Sequence, residues 1–193
     1  MKSPAQAEIE DKLRSEDLNT WLDLWHAEQG PAKPAALNLI TAAIPFPVDR
    51  NLRVLDVGCG PGDAGRAVHS RFPHAQIDFV DRNEFFVSLC GAVNRRDSVG
   101  GRTWVCDLSE PDWCCDLASE YDVVVAVNGG TGSVWRALGN FSATSFGCFG
   151  QAAFFYLWNR WVRRPCSRPA STRGERNSQA STGTRIGGAS GRV

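Results

Sequence analysis

The 193-residue chain lacks the cysteine pattern of a disulfide-rich or zinc-binding protein. It has seven cysteines, and no two of them are spaced as Cys-x-x-Cys. An odd number of unpatterned cysteines argues against a secreted disulfide framework. The three histidines stand at no ligand spacing to the cysteines or to one another. We therefore predict no metal site.

The chain also lacks segments that would direct it to a membrane. Residues 1–17 are polar and charged, without the apolar run that follows a basic start in a secretory signal. The aromatic stretch 141–158 is shorter than the roughly 20 apolar residues of a membrane span and contains Ser, Thr and Gln. A cytoplasmic location and no membrane partner are the expectations.

Acidic and basic residues are unevenly distributed along the chain. Residues 1–138 contain 13 Lys and Arg against 20 Asp and Glu, whereas residues 139–193 contain eight against one. The acidic part offers no basic patch for a nucleic acid, so no such partner is predicted. The Arg-, Ser- and Gly-rich end is typical of disorder. We predict N-terminal helices in 1–50, an α/β domain in 51–138 and a largely disordered basic tail in 139–193.

Between residues 52 and 128 the sequence alternates between strand and helix patterns. This alternation predicts an α/β fold with a doubly wound, mostly parallel sheet. Before it, Leu18, Trp21, Leu22 and Trp25 stand at helical spacing, which predicts one amphipathic helix over 8–29 that packs on or covers the sheet. The predicted strands are 52–58, 76–81, 102–107 and 121–128, with helices at 36–44, 63–72 and 85–96.

Three glycines stand between the first predicted strand and its helix, in the segment VLDVGCGPGDAG. Gly58, Gly60 and Gly62 permit backbone conformations closed to other residues and let a ligand lie against the main chain. The segment also matches the Gly-x-Gly-x-x-Gly pattern of dinucleotide binders. However, Asp56 and Asp63 place negative charge where a diphosphate would bind. An NAD(P)-binding oxidoreductase therefore stays as the less favoured alternative.

Four segments in order resemble the class I S-adenosylmethionine-dependent methyltransferases. LDVGCGPG is similar to the first motif of that family, and Asp81 ends the next strand as the family's ribose-binding acid does. CDL at 106–108 and YDVVVAVN at 121–128 then match the later motifs. The resemblance covers about residues 50–128. It implies a Rossmann-like fold, S-adenosyl-L-methionine as the cofactor and methyl transfer. The missing basic patch in 1–138 favours a small-molecule acceptor, with a protein acceptor as the alternative.

The resemblance also implies roles for individual residues. Asp81 would bind the ribose hydroxyls, Asp107 the adenine amino group, Asp56 the ammonium group and Asn128 would face the methionyl end. Each aspartate has an alternative interpretation as a cap or turn residue. No general base and no oligomeric state are predicted. The complete set of predicted cofactor-binding residues is Asp56, Gly58, Cys59, Gly60, Gly62, Asp81, Arg82, Asp107, Leu108 and Asn128.

The family pattern stops after Asn128. A complete fold of this class has seven strands, but no Pro-Gly-Gly turn and no Val- and Ile-rich fifth strand follows here. We therefore expect a sheet that is incomplete after its fourth strand, with that strand as an exposed edge. The composition of 139–193 resembles translation in a shifted reading frame or a degenerate C-terminus, which sequencing of codons 128–140 would distinguish. A catalytically inactive, truncated cofactor-binding protein is the main alternative function.

Overall fold

A six-stranded sheet forms the centre of the described structure. The computed structural model describes residues 4–15, 17–110, 113, 116–117, 120–127, 141–142 and 155–163. The order of strands across the sheet is β3-β2-β1-β4-β6-β5. The strands are β1 (Arg53–Val57), β2 (Gln76–Asp81), β3 (Gly101–Val105), β4 (Glu120–Val125), β5 (Phe141–Ser142) and β6 (Phe155–Arg163).

The first four strands are parallel, which confirms the predicted α/β fold class. β1 pairs with β2 and with β4, and β2 pairs with β3, all in the same direction. The order β3-β2-β1-β4 reverses the direction of winding between β1 and β4, the point at which open α/β sheets bind ligands. β1 and β2 are buried along nearly their whole length, as is typical of parallel strands covered on both faces.

The expectation that β4 is an exposed edge was wrong. β6 pairs antiparallel with β4, with Val123 opposite Leu157 and Val125 opposite Phe155. Four of the nine residues of this strand are aromatic. Aromatic residues favour strands as much as Val and Ile do, so a search for an aliphatic run missed it. It lies within the region predicted as a tail. The disorder predicted for the rest of 139–193 lies outside the described residues.

Helices precede the sheet and connect its parallel strands. The predicted single helix over 8–29 is two helices, because the Asp17 side chain accepts a hydrogen bond from Asn19 N and starts a new one. The Asn83 side chain caps a later helix in the same way, accepting from Phe85 N and Phe86 N. The helices are α1 (Pro4–Ser15), α2 (Leu18–Gln29), α3 (Ala32–Ala43), α4 (Asp63–Arg71) and α5 (Glu84–Arg96).

Apolar clusters fill both faces of the sheet. On one face, α3, α4 and α5 contribute to a cluster that includes Ile40, Val68 and Phe79. On the other face, Leu55 and Val124 pack with residues of the segment after β3. Fully burying one such side chain contributes about 1.5–3 kcal/mol. None of the five described helices reaches the length and apolar character needed to cross a membrane.

Candidate functional site

A cavity of about 410 Å³ lies at the carboxyl ends of the parallel strands. Strand ends meet at this edge because parallel strands all finish on the same side of the sheet. Val127, two residues after β4, contributes to the wall. Eight of the predicted cofactor-binding residues line the cavity together: Asp56, Gly58, Cys59, Gly60, Asp81, Arg82, Asp107 and Leu108.

Two predicted residues are not part of the described wall. Gly62 precedes α4 with φ of 92°, and a Cβ there would lie 2.6 Å from Cys90 Sγ. Glycine at this position therefore serves the turn and its packing. Asn128 lies outside the described residues.

Backbone N–H groups of the glycine loop between β1 and α4 donate hydrogen bonds to other groups of the protein. Gly58 N and Cys59 N both donate to Val80 O, at 2.8 and 3.0 Å. Gly60 N donates to Asp81 Oδ2 at 2.9 Å, and Gly62 N donates to Cys59 O at 2.9 Å. These hydrogen bonds hold the loop against the end of β2. The loop therefore exposes backbone to the cavity, but these N–H groups already have acceptors.

Asp56 is a buried cap as well as part of the cavity wall. Its Oδ2 accepts a hydrogen bond of 2.8 Å from Gly65 N, in the first turn of α4. The residue is 1% exposed. Burial is the main reason that the pKa of Asp56 rises to about 7, and the hydrogen bond from Gly65 N acts in the opposite direction. The carboxyl group is therefore ready to change charge near neutral pH.

Asp81 ties the glycine loop to the turn after β2. Its Oδ2 accepts from Gly60 N, and its Oδ1 accepts from Asn83 N at 2.9 Å. A carboxylate has about four lone-pair positions, so each oxygen keeps capacity for one more donor. Asp81 can therefore hold the loop and accept two hydroxyl groups from a ligand together.

Asp107 is the exposed acid of the cavity. Its Oδ1 accepts from Ser109 N at 2.9 Å and from Ser109 Oγ at 2.7 Å. These two hydrogen bonds hold the pKa of Asp107 below its usual value. The group stays ionised at neutral pH and acts as a hydrogen-bond acceptor next to Leu108.

The N-terminal helices supply wall residues that the sequence did not indicate. Trp25 and Gln29 from α2 and Lys33 from α3 all line the cavity. The Trp25 ring packs edge-on against Phe86 with centroids 4.8 Å apart. A Cβ on Gly60 would lie 3.1 Å from the Trp25 ring. The absence of a side chain at Gly60 therefore lets the indole close over the loop.

Asp63 joins these helices to the glycine loop. Its Oδ2 accepts from Trp25 Nε1 at 2.9 Å and from Lys33 Nζ at 2.6 Å. Its Oδ1 lies 3.2 Å from His26 Nε2 and accepts from Arg66 Nη2. Burial alone would raise the pKa of Asp63, but the hydrogen bond and charge of Lys33 outweigh it and bring the pKa to about 2.

The chemistry of the site is that of a binding cavity rich in carboxylates. Four acids line it, of which Asp63 is neutralised by its partners. Among the described residues, no three or more His, Cys, Asp or Glu side chains are grouped to hold a metal ion. The arrangement can accept hydrogen bonds from hydroxyl and amino groups and can stabilise a cation.

Comparisons with known proteins found likeness in structure only. No protein-family model and no curated protein sequence matches the chain. A precorrin-6y C5,15-methyltransferase from Geobacter metallireducens GS-15 is 14% identical, with 53% of this chain covering 52% of that one at a TM-score of 0.44. A SAM-dependent methyltransferase from Geobacter sulfurreducens in complex with S-adenosyl-L-homocysteine is 19% identical. Here 54% of this chain covers 42% of that one at a TM-score of 0.42.

A third solved structure is coclaurine N-methyltransferase bound to N-methylheliamine and SAH. It is 20% identical, and 49% of this chain covers 27% of that one at a TM-score of 0.42. Each of these three solved structures is that of a methyltransferase. The chain spans 27% to 52% of the length of these three proteins.

Proposed function

We propose that this chain binds S-adenosylmethionine in the cavity and transfers its methyl group to a small-molecule acceptor. The observation that carries the proposal is the convergence of Asp56, Asp81 and Asp107 around the glycine loop. The cofactor would carry a sulfonium cation, an ammonium group, a ribose diol and an adenine amino group. These groups are positive or donate hydrogen bonds, which suits a cavity rich in acceptors, whereas the cofactor's one carboxylate needs a cation.

The individual acids fit different parts of that cofactor. Asp81 has one acceptor position left on each oxygen and would take the two ribose hydroxyls. Asp107 Oδ1 is occupied by Ser109, which leaves its Oδ2 to accept from the adenine amino group. Asp56 would face the ammonium group, directly or through water. The cavity of about 410 Å³ is within the usual range for a small-molecule site.

The same geometry disfavours a dinucleotide. A diphosphate needs free backbone N–H groups at the glycine loop and the start of its helix. Here Gly58 N, Cys59 N, Gly60 N and Gly62 N donate within the loop region, and Gly65 N donates to Asp56. A bound diphosphate would also face the carboxylates of the wall. These contacts support the methyltransferase proposal over the oxidoreductase alternative.

In such a reaction the protein binds and orients, and a protein nucleophile is not needed. The bound cofactor supplies an electrophilic methyl group on a positively charged sulfur. Asp81 and Asp107 would fix the nucleoside end, and Asp56 would fix the amino-acid end. Trp25 packs over Gly60 and would shield that side of the bound cofactor. Rate enhancement then comes from placing the acceptor at attack distance.

Binding calorimetry on the full chain tests the proposal. We expect S-adenosylmethionine and S-adenosylhomocysteine to bind, and NAD⁺ and NADP⁺ to give no heat of binding. Binding of a nicotinamide dinucleotide without binding of either adenosyl ligand would overturn the proposal. Methyl-transfer assays with small-molecule acceptors then distinguish an enzyme from a cofactor-binding protein without turnover.

A further inference from the structure

Charged residues of the cavity wall come from two sets of elements. Asp81, Arg82 and Asp107 come from the ends of β2 and β3. Asp56 comes from β1, Asp63 from the start of α4 and Lys33 from α3. This second set therefore brings one cation and two carboxyl groups to the cavity.

The Lys33 side chain is held in place in the cavity wall. Its Nζ lies 2.6 Å from Asp63 Oδ2 and 4.7 Å from the centroid of the Trp25 ring. The side chain is only 9% exposed. A lysine fixed by an ion pair and an aromatic face has lost most of its rotational freedom before a ligand arrives, which favours binding by preorganisation.

Lys33 is not the only described cation that neutralises Asp63. Arg66 already pairs with Asp63 Oδ1, and Arg66 does not line the cavity. Two cations thus meet one carboxylate, and His26 contributes a further contact. An ammonium group has three donors, of which Asp63 takes one. Lys33 can therefore serve an anion inside the cavity without releasing Asp63.

We infer that Lys33 binds the carboxylate of the cofactor's amino-acid end, an inference that rests on the proposed function. The amino-acid end is a zwitterion, and the cavity offers it a matching pair. Asp56 would take the ammonium group, and Lys33 would take the carboxylate. Lys33 thereby makes the site specific for the complete amino acid rather than for any adenosyl sulfonium.

Two ligands that differ only in the carboxylate test this assignment. Calorimetry compares S-adenosylmethionine with decarboxylated S-adenosylmethionine, which keeps the sulfonium, the ammonium group and the nucleoside. The wild-type chain is expected to bind the complete cofactor roughly tenfold to a hundredfold more tightly, the usual range for a hydrogen bond between charged groups. Lys33→Met is expected to lose this preference by weakening only the complete cofactor, and Lys33→Arg to keep it.

Arg66→Met is the matched control, since it removes the other ion pair of Asp63 without removing a group from the cavity. It is expected to affect both ligands equally. Equal weakening of both ligands by Lys33→Met would assign Lys33 a structural role only and overturn the inference. Equal affinity of the wild-type chain for the two ligands would overturn it even if no variant folds. Absence of binding by either ligand would instead overturn the proposed function itself.

Discussion

At the residue scale, Asp56 is an acid that the folded protein encloses almost completely. It is held by one backbone donor and is otherwise enclosed, and burial raises its pKa to about 7 from an ordinary value of 3.8. A raised pKa means that the folded protein binds this proton more tightly than the unfolded chain. The stabilisation is complete below pH 3.8 and is lost as the pH rises to about 7.

Asp56→Asn should remove this pH dependence. The asparagine Oδ1 can still accept from Gly65 N, but it carries no proton to lose. Between pH 4 and 7 the wild-type free energy of unfolding should fall relative to that of the variant, by about 1.4 kcal/mol per unit of pKa shift. Urea unfolding at a series of pH values measures the difference. Parallel unfolding curves for the two proteins would contradict the role of Asp56. Asp63 does not complicate the comparison, because its pKa of about 2 lies below this pH range.

Asp81→Ala should weaken binding of S-adenosylhomocysteine by about 1–3 kcal/mol, the effect of leaving hydrogen-bonding groups of a ligand without partners. The loop contact to Gly60 N is lost as well, so thermal unfolding must be recorded beside the calorimetric Kd. Asp23→Ala, at an exposed position of α2, is the control. An unchanged Kd would count against a ribose-binding role for Asp81.

The acids near the strand ends were predictable because a local sequence pattern is sufficient to place them. Asp81 ends a predicted strand and Asp56 lies near the end of another, and parallel strands end at one edge of the sheet. The same pattern does not predict that Lys33 and Trp25 line the cavity. The hydrogen bond between Trp25 and Asp63 spans 38 positions, and such a contact depends on how α2 packs on the sheet. The helical spacing of Trp25 predicted only that it faces inward.

At the scale of elements, α4 lies unusually close to β2. A Cβ on Gly65 would be 2.2 Å from Phe79 Cε1 and 3.1 Å from Ile77 Cγ2. Both side chains come from β2 and are fully buried, so neither has space into which it can move. The close approach brings the first turn of α4 to the Asp56 carboxylate.

Gly65→Ala should therefore lower the free energy of unfolding by about 1–3 kcal/mol or more, as overpacking of a buried contact does. Gly91→Ala in α5 is a control of opposite sign. Its Cβ would meet nothing closer than 3.5 Å, so the substitution should stabilise the helix by about 0.5–1 kcal/mol. Denaturant unfolding compares the two, and equal effects would show that the contact with Phe79 is not limiting.

The elements themselves were largely predictable. β1 to β4, α4 and α5 follow from buried runs that alternate with helical patterns. Two errors have physical causes. Asp17 starts a new helix by capping Asn19 N, and periodicity continues across such a break without revealing it. β6 is recognised by its pairing with β4, a long-range contact that a search for aliphatic runs does not detect.

At the scale of the whole molecule, the N-terminal helices share a core with the α/β part. Leu13 and Leu22 from α1 and α2 pack against Leu89 and Val93 of α5. The Trp21 and Phe85 rings add an edge-on contact with centroids 5.1 Å apart. These contacts are buried and apolar, so we expect the two parts to unfold together.

Leu89→Ala should destabilise the chain by about 2–5 kcal/mol, the range for a leucine removed from a packed core. Circular dichroism and the fluorescence of a dye attached to α2 should give one coincident transition. Intrinsic fluorescence would not separate the two parts, because only Trp21 and Trp25 of the seven tryptophans lie in α2. Leu24→Ala is the control, since Leu24 is 58% exposed. Separate transitions for the two signals would indicate that residues 1–50 fold as an independent unit.

The completed hydrogen bonds of the glycine loop have a kinetic consequence. A loop whose donors are already used by Val80, Asp81 and Cys59 does not have to be ordered when a ligand enters. Association should then be a single step. In stopped-flow mixing, the observed rate would rise linearly with ligand concentration and show no plateau, because no slow rearrangement precedes or follows the encounter.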